Sequence, residues 1–272
     1  MIAGRYRIDT ELRRGAFGVI YKGIYEKRGE PIAIKMDYSS RSSLKHEIRI
    51  IQYLSMANVK GIPNIYWYGQ YEDKPCVVMT LYECSLYDYQ KRGSSTMVNL
   101  SKIMWLLLDI IENIHKHWVL HRDIKPHNFM IKGGEFFLID FGLATFYMNE
   151  NGEHCPDDGT KTMIGSPYFA SLRIHEGHRY SRRDDLISLG YVILFMTGFS
   201  WDITTQPTSG SPLDLSYIIN RELQCQKEGI IPKDKHIRYF IDYVYKLEYD
   251  ENPKYKAMKQ LFTSNVFEEG YI

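Results

Sequence analysis

Near the middle of the chain, residues 121–128 are His-Arg-Asp-Ile-Lys-Pro-His-Asn, and residues 140–142 are Asp-Phe-Gly. Residues 135–139 are largely apolar and follow a pair of glycines, which predicts a β-strand between the two motifs. Such a strand would bring Asp140 to the place where the first motif lies. Asp123 offers a carboxylate that can accept a proton from a hydroxyl, and Asn128 and Asp140 offer the hard oxygen ligands that Mg²⁺ prefers. Together the two motifs predict one catalytic centre with a divalent metal.

The N-terminal part predicts an antiparallel meander of three strands over residues 5–12, 19–26 and 31–36. Gly15 and Gly18 stand in its first turn, where glycine lets a backbone approach another group closely. An ordinary glycine-containing turn explains these two residues about as well as a loop over a phosphate does. The residues that follow decide between the two interpretations.

A lysine in the third predicted strand and a glutamate twelve residues later form a candidate pair. Lys35 ends the apolar segment Ile-Ala-Ile-Lys, and Glu47 stands twelve residues later. Around Glu47, apolar residues at positions 44, 48, 51 and 54 recur with roughly helical spacing and give the predicted helix one apolar face. Glu47 lies beside that face and can point inward at Lys35. The competing interpretation is a solvated glutamate on the surface of a helix.

The remaining elements divide into a small sheet and a larger helical part. Residues 65–71 and 75–81 predict two more strands, so the first part holds five strands and one helix. Residues 101–117 predict a helix with a continuous apolar stripe, and residues 186–196 are apolar nearly all round, as in a buried helix. Two further helices are predicted over residues 237–247 and 254–262. No linker is evident, so we expect two lobes of one domain.

Composition excludes several classes of protein. The 272 residues carry 34 basic and 33 acidic side chains, a net charge of +1, which points to neither nucleic acid nor membrane as a partner. The sequence contains no stretch of about 18 apolar residues, so it predicts no membrane span. The four cysteines show no paired spacing, and the N-terminus lacks the apolar core of a signal peptide. We therefore expect free thiols in an intracellular protein of the cytoplasm, the nucleus or both.

These motifs resemble those of the eukaryotic protein kinases, which share a His-Arg-Asp loop ending in Asn, an Asp-Phe-Gly and a Val-Ala-Ile-Lys strand. Further segments resemble the casein kinase I group within that family. They are Ser-Arg-Arg-Asp-Asp-Leu at 181–186, Ser-Leu-Gly-Tyr-Val at 188–192, Ala-Ser at 170–171 and Leu-Glu-Tyr-Asp-Glu-Asn-Pro-Lys-Tyr at 247–255. The resemblance extends from about residue 6 to residue 262.

The resemblance implies an α+β fold, the bilobal protein-kinase fold. Its N-lobe would be a five-stranded antiparallel sheet with one helix, and its C-lobe would be mainly helical. One kinase domain would cover residues 1–272, with an N-lobe of about 1–79, a hinge of 80–83 and a C-lobe of 84–272.

The resemblance also implies residue roles. Asp123 would be the catalytic base, Lys125 would stabilise the transferred phosphoryl group, and Asn128 and Asp140 would hold Mg²⁺. Glu47 would fix Lys35 over the phosphates of ATP, and Asp185 would hydrogen-bond the backbone of the catalytic loop, although a plain helix-capping carboxylate is the alternative for Asp185. ATP binding is assigned to a set of residues that surround the nucleotide in the family: Leu12, Gly15, Gly18, Ile20, Ala33, Lys35, Glu47, Met79, Thr80, Leu81 and Tyr82.

The resemblance also implies a substrate class, and the chain departs from the family's sequence at two positions. A lysine at the position of Lys125 is typical of serine/threonine kinases, so Ser and Thr hydroxyls of proteins are the expected acceptors. The family's preference for acidic or already phosphorylated substrates uses an arginine where this chain has Tyr168. Arg13 replaces the first glycine of the family's glycine-rich loop. The family implies an activation segment that needs no phosphorylation. The candidate phosphorylation sites in this chain are Thr145, Thr160, Thr162 and Ser166. A monomer is expected.

Three other functions compete with protein phosphorylation. A pseudokinase scaffold would bind nucleotide without transferring a phosphoryl group, and only Arg13 favours it, because Lys35, Glu47, Asp123, Asn128 and Asp140 are all present. A small-molecule phosphotransferase would need only part of the motif set, and the Lys125 position argues against it. A zinc site on histidines and cysteines lacks a second ligand pair with suitable spacing.

Overall fold

A computed structural model of the chain describes residues 1–15, 18–39, 43–93, 97–159, 163–198 and 234–267. Its strands are β1 Tyr6–Arg14, β2 Gly18–Tyr25, β3 Glu30–Asp37, β4 Ile65–Tyr71, β5 Lys74–Thr80, β6 Cys84–Ser85, β7 Val119–Leu120, β8 Phe129–Lys132, β9 Glu135–Leu138 and β10 Thr145–Phe146. Its helices are α1 Leu44–Met56, α2 Leu86–Lys91, α3 Met97–Lys116, α4 Leu172–His175, α5 Arg182–Met196, α6 Lys235–Tyr245 and α7 Tyr255–Phe267. Contacts divide the chain into two compact units, Met1–Ser85 with Phe129–Ala144, and Leu86–Asn128 with Thr145–Ile272.

The first unit is built on a five-stranded sheet with the order β1-β2-β3-β5-β4, and each neighbouring pair is antiparallel. Successive side chains of β3 and β5 point alternately to the two faces of this sheet. Ile32, Ile34 and Val78 belong to a buried cluster on one face. On the other face, Val77 packs with residues of α1. Lys35 directly follows Ile34 on β3. Because successive side chains of a strand point to opposite faces, the side chain of Lys35 points to the face that α1 covers.

A small second sheet also belongs to the first unit. Its strand order is β6-β8-β9, and the backbone N–H of Leu138 in β9 donates to the carbonyl of Gly61 at 2.8 Å. A 3₁₀ turn over Phe141–Leu143 follows β9. Asp140, which precedes that turn, has a left-handed backbone with φ of 68°. A non-glycine residue in this conformation is uncommon and clusters at functional sites.

The second unit is mainly helical in the residues described. Over residues 186–196, helix α5 is buried on nearly all sides, as its largely apolar sequence predicts. It begins at Arg182, four residues before the predicted start, because Ser181 and Asp184 form a capping box that extends the helix into a polar segment. Helix α6 has an apolar face of Ile237, Phe240, Ile241 and Val244. Among the helices described, none combines the length and apolar character that a membrane span requires.

Element types agree with the sequence predictions, while several boundaries differ. Helix α3 begins at Met97 instead of residue 101, and neither α2 nor α4 was predicted. The segment Phe129–Ala144 groups with the first unit, whereas the sequence prediction placed all of residues 84–272 in the second lobe. The reason is that β8 pairs with β6, and β9 hydrogen-bonds to Gly61, so long-range pairing overrides chain order. The division into lobes itself stays a prediction.

Candidate active site

Three charged side chains meet in the first unit. The Lys35 ammonium lies 2.7 Å from Glu47 Oε2 and 3.2 Å from Asp140 Oδ1. The structure therefore brings together a strand residue, a helix residue and the first residue of Asp-Phe-Gly, which the sequence had assigned to one site. Glu47 is buried, with 3% of its side chain exposed, so it is not the solvated helix glutamate of the alternative interpretation.

Charge pairing keeps Lys35 cationic. Burial opposes the ammonium ion, but the carboxylates of Glu47 and Asp140 outweigh it and raise the pKa of Lys35 above its ordinary value. Burial also raises the pKa of Glu47, against the attraction of Lys35. A buried carboxylate without Lys35 would be costly, because an unpaired charge in the interior loses its hydration. The two residues thus hold each other in place.

The two predicted loop glycines have different surroundings. The backbone N–H of Gly15 donates to the carbonyl of Gly18 at 2.9 Å and closes the turn. A Cβ atom at Gly18 would lie only 2.2 Å from the carbonyl oxygen of Met36, so close pairing of β2 with β3 already requires glycine there. A Cβ at Gly15 would meet no atom closer than 4.0 Å. Packing therefore accounts for Gly18 but leaves Gly15 available for another purpose. Arg13 is exposed on β1.

The other predicted nucleotide residues lie on the same sheet and on the connector that follows it. Ala33 is buried on β3, Met79 packs on the α1 cluster, and Leu12 on β1 is exposed. Ile20 on β2 is half-buried, as are Leu81 and Tyr82.

Thr80 and the residues after it are held by the remainder of the first unit. The N–H of Thr80 donates to the carbonyl of Asn64 at 3.2 Å, and the N–H of Glu83 donates to the carbonyl of Ile131 at 2.9 Å. The Tyr82 ring lies 5.1 Å, centroid to centroid, from the ring of Phe137. The predicted hinge is therefore fixed to the small sheet, and not a free linker.

In the second unit, Asp123, Lys125 and Ser166 form a compact polar group. The Lys125 ammonium lies 2.6 Å from Asp123 Oδ2 and donates to Ser166 Oγ at 2.9 Å. The backbone N–H of Ser166 donates to Asp123 Oδ1 at 2.9 Å. Both carboxylate oxygens of Asp123 thus have a donor, and the side chain is fixed in direction. Ser166 was predicted only as a candidate phosphorylation site, and nothing in the sequence spacing placed its hydroxyl on Lys125.

The hydrogen bonds that the side-chain amide of Asn128 donates fix its orientation. Its Nδ2 donates to the backbone carbonyl of Asp123 at 2.8 Å and to Asp123 Oδ2 at 3.0 Å. Because the donor side of the amide is used in this way, Oδ1 is the atom left to act as a metal ligand. The oxygen donors of Asn128 and Asp140 suit Mg²⁺, which takes few protein ligands and completes its shell with water and phosphate. Among the described residues no group of three or more His, Cys, Asp or Glu forms a metal site by itself.

The loop that carries Asp123 is anchored from α5. Asp185 accepts from the backbone N–H of His121 at 2.8 Å and from that of Arg122 at 2.9 Å. Asp184, in contrast, caps the helix through the N–H of Ser181. Asp185 therefore anchors the loop and Asp184 caps the helix, which are the two roles that the sequence left open. Arg122 needs such an anchor, because its backbone is left-handed with φ of 66°.

A fully buried histidine extends this anchor, and the sequence analysis missed it. His115 Nε2 lies 3.0 Å from Asp185 Oδ2, and His115 Nδ1 lies 2.5 Å from the hydroxyl of Tyr255 in α7. Burial raises the pKa of Tyr255 well above its ordinary value, so its hydroxyl is the donor to Nδ1, and Nε2–H donates to Asp185. In the sequence, this role was indicated only by the position of a histidine within an otherwise apolar helical stripe.

The other candidate residues of the predicted activation segment are spread over this unit. Thr145 begins β10, which pairs with β7, and Tyr168 is half-buried. Thr160 and Thr162 lie outside the described residues, as does Cys225, while Cys76, Cys84 and Cys155 carry free thiols.

Comparison with known families matches most of the chain to a family profile. The family profile described as "Protein kinase domain" matches residues 6–227. This span is well over half of the 272 residues and includes every site residue described above except Tyr255. The sheet with its single helix, the pair of Lys35 and Glu47, and the anchored loop of Asp123 are the arrangement that such a domain needs. The chain belongs to the protein kinase domain family.

Proposed function

We propose that this protein kinase is a serine/threonine kinase of the casein kinase I type, which transfers the γ-phosphoryl group of ATP to protein hydroxyls with Mg²⁺ as the metal. The single observation that carries the proposal is the group formed by Asp123, Lys125 and Ser166. It provides a directed carboxylate with an ammonium ion 2.6 Å away. A base beside a cation can take the proton of an alcohol while charge develops on the phosphoryl group.

Residues of the first unit hold the nucleotide. Lys35 is kept cationic and in place by Glu47, and it binds phosphate oxygens of ATP. Asp140 has 45% of its side chain exposed and so can offer an oxygen to Mg²⁺ as well as to Lys35. When bound, Mg²⁺ would neutralise charge on the phosphates, and Asp140 is the residue of this unit that would hold it. In the second unit, Oδ1 of Asn128 would be an oxygen ligand of the same chemical type. Ala33, Met79 and the connector Thr80–Tyr82 surround the base.

Residues of the second unit act on the acceptor. Asp123 orients the hydroxyl and receives its proton as the oxygen–phosphorus bond forms. The bond from the γ-phosphorus to its bridging oxygen breaks, and ADP leaves with that electron pair. Lys125 stabilises the charge on the transferred group. Asp185 does not touch the reacting atoms but fixes the backbone that carries Asp123. Catalysis is thus positioning and electrostatics.

The casein kinase I type rests on the segments that resemble that group, and two of them have a structural function here. The Ser-Arg-Arg-Asp-Asp segment caps α5 and anchors the catalytic loop. Arg182 also reaches Asp250 and Asn252 of the second segment, at 2.7 Å and 3.2 Å. Tyr168 cannot supply the cation that binds a phosphorylated substrate, so we infer that primed substrates are not preferred.

A pseudokinase is the weaker alternative. It would be favoured by a broken charge pair, but Lys35 contacts both Glu47 and Asp140, and Asp123 keeps its partner. Arg13 is the one residue that favours this alternative, and its side chain is exposed on β1.

The test is transfer of labelled phosphate from ATP to casein by the purified chain with Mg²⁺, followed by identification of the phosphorylated residue type. Asp140→Asn should abolish transfer, and Asp73→Asn, in an exposed turn, should not. Label on Ser or Thr supports the proposal. Label on Tyr alone contradicts the specificity, and transfer that survives in Asp140→Asn contradicts the role of that residue. No transfer, with ATP still raising the melting temperature, would support the scaffold.

A further inference from the structure

A histidine outside the recognised motifs contacts the segment that follows Asp-Phe-Gly. His46 stands on α1, directly before Glu47, and its Nε2 lies 2.7 Å from the backbone carbonyl oxygen of Ala144. A carbonyl can only accept, so Nε2 carries the proton and donates. The two residues are 98 positions apart in the chain, and both belong to the first unit.

This hydrogen bond closes a ring of contacts around the candidate site. From α1, Glu47 pairs with Lys35, and Lys35 pairs with Asp140. From Asp140 the chain continues through the 3₁₀ turn to Ala144, whose N–H donates to the carbonyl of Phe141 at 3.0 Å. His46 returns from Ala144 to α1. The helix is thus tied to the Asp-Phe-Gly segment at two points, one on either side of the turn.

A second observation shows that the helix and the turn are closely apposed. A Cβ atom at Gly142 would lie 3.0 Å from the hydroxyl oxygen of Ser43, the residue before α1. A side chain at Gly142 would therefore have to displace the Ser43 hydroxyl at the beginning of α1. The turn and the start of the helix are in close contact, on the same side of α1 as the His46 hydrogen bond to Ala144.

We propose that His46 is a positioning residue, which holds α1 at the rotation in which Glu47 pairs with Lys35. This inference rests on the proposed function. His46 is exposed and buries little apolar surface, so it adds little to the folding of the unit. Its hydrogen bond acts instead on the fraction of molecules in which Glu47 contacts Lys35. A single hydrogen bond of this kind changes such a ratio by about three- to tenfold.

The test compares His46→Leu, which has no donor, with His46→Gln, whose amide can reach the same carbonyl. Lys45→Leu places the same apolar side chain on the neighbouring exposed position and is the matched control. We expect His46→Leu to lower kcat/KM by about three- to tenfold at an unchanged melting temperature, and His46→Gln and Lys45→Leu to stay within about twofold of the original chain. Equal losses in His46→Leu and His46→Gln, or no loss in either, would overturn the proposal.

A double-mutant cycle separates positioning through Glu47 from any other effect. If His46 acts through the Lys35–Glu47 pair, His46→Leu should cost nothing further in a Glu47→Gln background. Additive losses would overturn the proposed route.

Failure of the kinase proposal can be distinguished from failure of this one. If the original chain transfers no phosphate, the proposed function fails, and the comparison moves to the affinity for a non-hydrolysable ATP analogue with Mg²⁺. A weaker affinity in His46→Leu than in Lys45→Leu would then support the role of His46, and equal affinities would overturn it.

Discussion

Ser166 shows what a single hydroxyl does at this site. It accepts from Lys125 at 2.9 Å, while its backbone N–H donates to Asp123. Loss of the hydroxyl removes one of the acceptors that hold the Lys125 ammonium, so the cation beside Asp123 is less well directed towards the transferred group. We predict that Ser166→Ala lowers kcat by about tenfold with little change in the KM for ATP, because one hydrogen bond to a charged group is worth about 1.5 kcal/mol.

The matched variant is Ser166→Thr, which keeps the hydroxyl and should retain kcat within about threefold. Steady-state transfer to casein measures both variants. If Ser166→Ala and Ser166→Thr have the same kcat, the hydroxyl has no part in the reaction. A phosphate on Ser166 would place negative charge beside Asp123, so modification there should inhibit.

At the residue scale, the sequence predicts what spacing determines locally and misses what only tertiary contacts create. Lys35 and Glu47 could be paired in advance, because a strand motif and an amphipathic helix fix the direction of each side chain. Ser166 and His115 could not be placed, because their partners are 41 and 70 residues away. Gly18 had two explanations from the sequence, and the position of Met36 adds a packing reason that the sequence does not show.

At the scale of elements, three helices meet in one buried polar network. Asp185 of α5 holds the catalytic loop, His115 of α3 supports Asp185, and Tyr255 of α7 supports His115. Burial lowers the pKa of His115 below its ordinary value of 6.5, although Asp185 acts in the opposite direction. Hydrogen bonds from His115 and the loop outweigh burial and lower the pKa of Asp185. The pair is therefore a neutral histidine with an ionised aspartate.

This network predicts how stability depends on pH. Below pH 6.5 the unfolded chain takes up a proton at this histidine, and the folded chain does not. The unfolded state then binds more protons, so the free energy of unfolding falls as pH decreases from about 7 towards the folded pKa of His115. The slope that His115 contributes is at most about 1.4 kcal/mol per pH unit.

The measurement is urea unfolding between pH 5 and pH 7.5 of the original chain, His115→Gln and His117→Gln. His117, at the end of the same helical segment, is only partly buried and is the control. The His115→Gln variant should be less stable at pH 7.5 and have a shallower dependence on pH, and His117→Gln should match the original slope. Identical slopes in all three proteins would mean that His115 has the same pKa in the folded and the unfolded chain, which would contradict the prediction.

Boundaries of elements were the least predictable feature. The apolar pattern predicts that α5 begins at residue 186, since the residues from Arg182 to Asp185 are charged. The structure begins it there because Asp184 accepts from the backbone N–H of Ser181, while Asp185 accepts from backbone N–H groups of a loop 63 and 64 residues away. Polar residues are favourable at a buried helix start only with such partners.

At the scale of the whole molecule, the candidate site residues divide between the two units. Lys35, Glu47 and Asp140 belong to the first, and Asp123, Lys125 and Asn128 belong to the second. Chain order alone would place Asp140 with the second group. Its membership of the first unit follows from the pairing of β8 with β6, which no local pattern in the sequence encodes.

This division predicts separable defects. Lys35→Met should weaken the affinity for a non-hydrolysable ATP analogue with Mg²⁺ by about tenfold or more, since it removes the cation that pairs with the phosphates. Asp123→Asn should leave that affinity within about threefold but lower kcat by about 10²- to 10⁴-fold, the range for loss of a general base. Calorimetric titration and steady-state transfer, made on the same preparations, measure the two quantities. A variant of Asp123 that loses nucleotide affinity as severely as Lys35→Met would show that the second unit holds the nucleotide too, and that the proposed separation between binding and transfer is wrong.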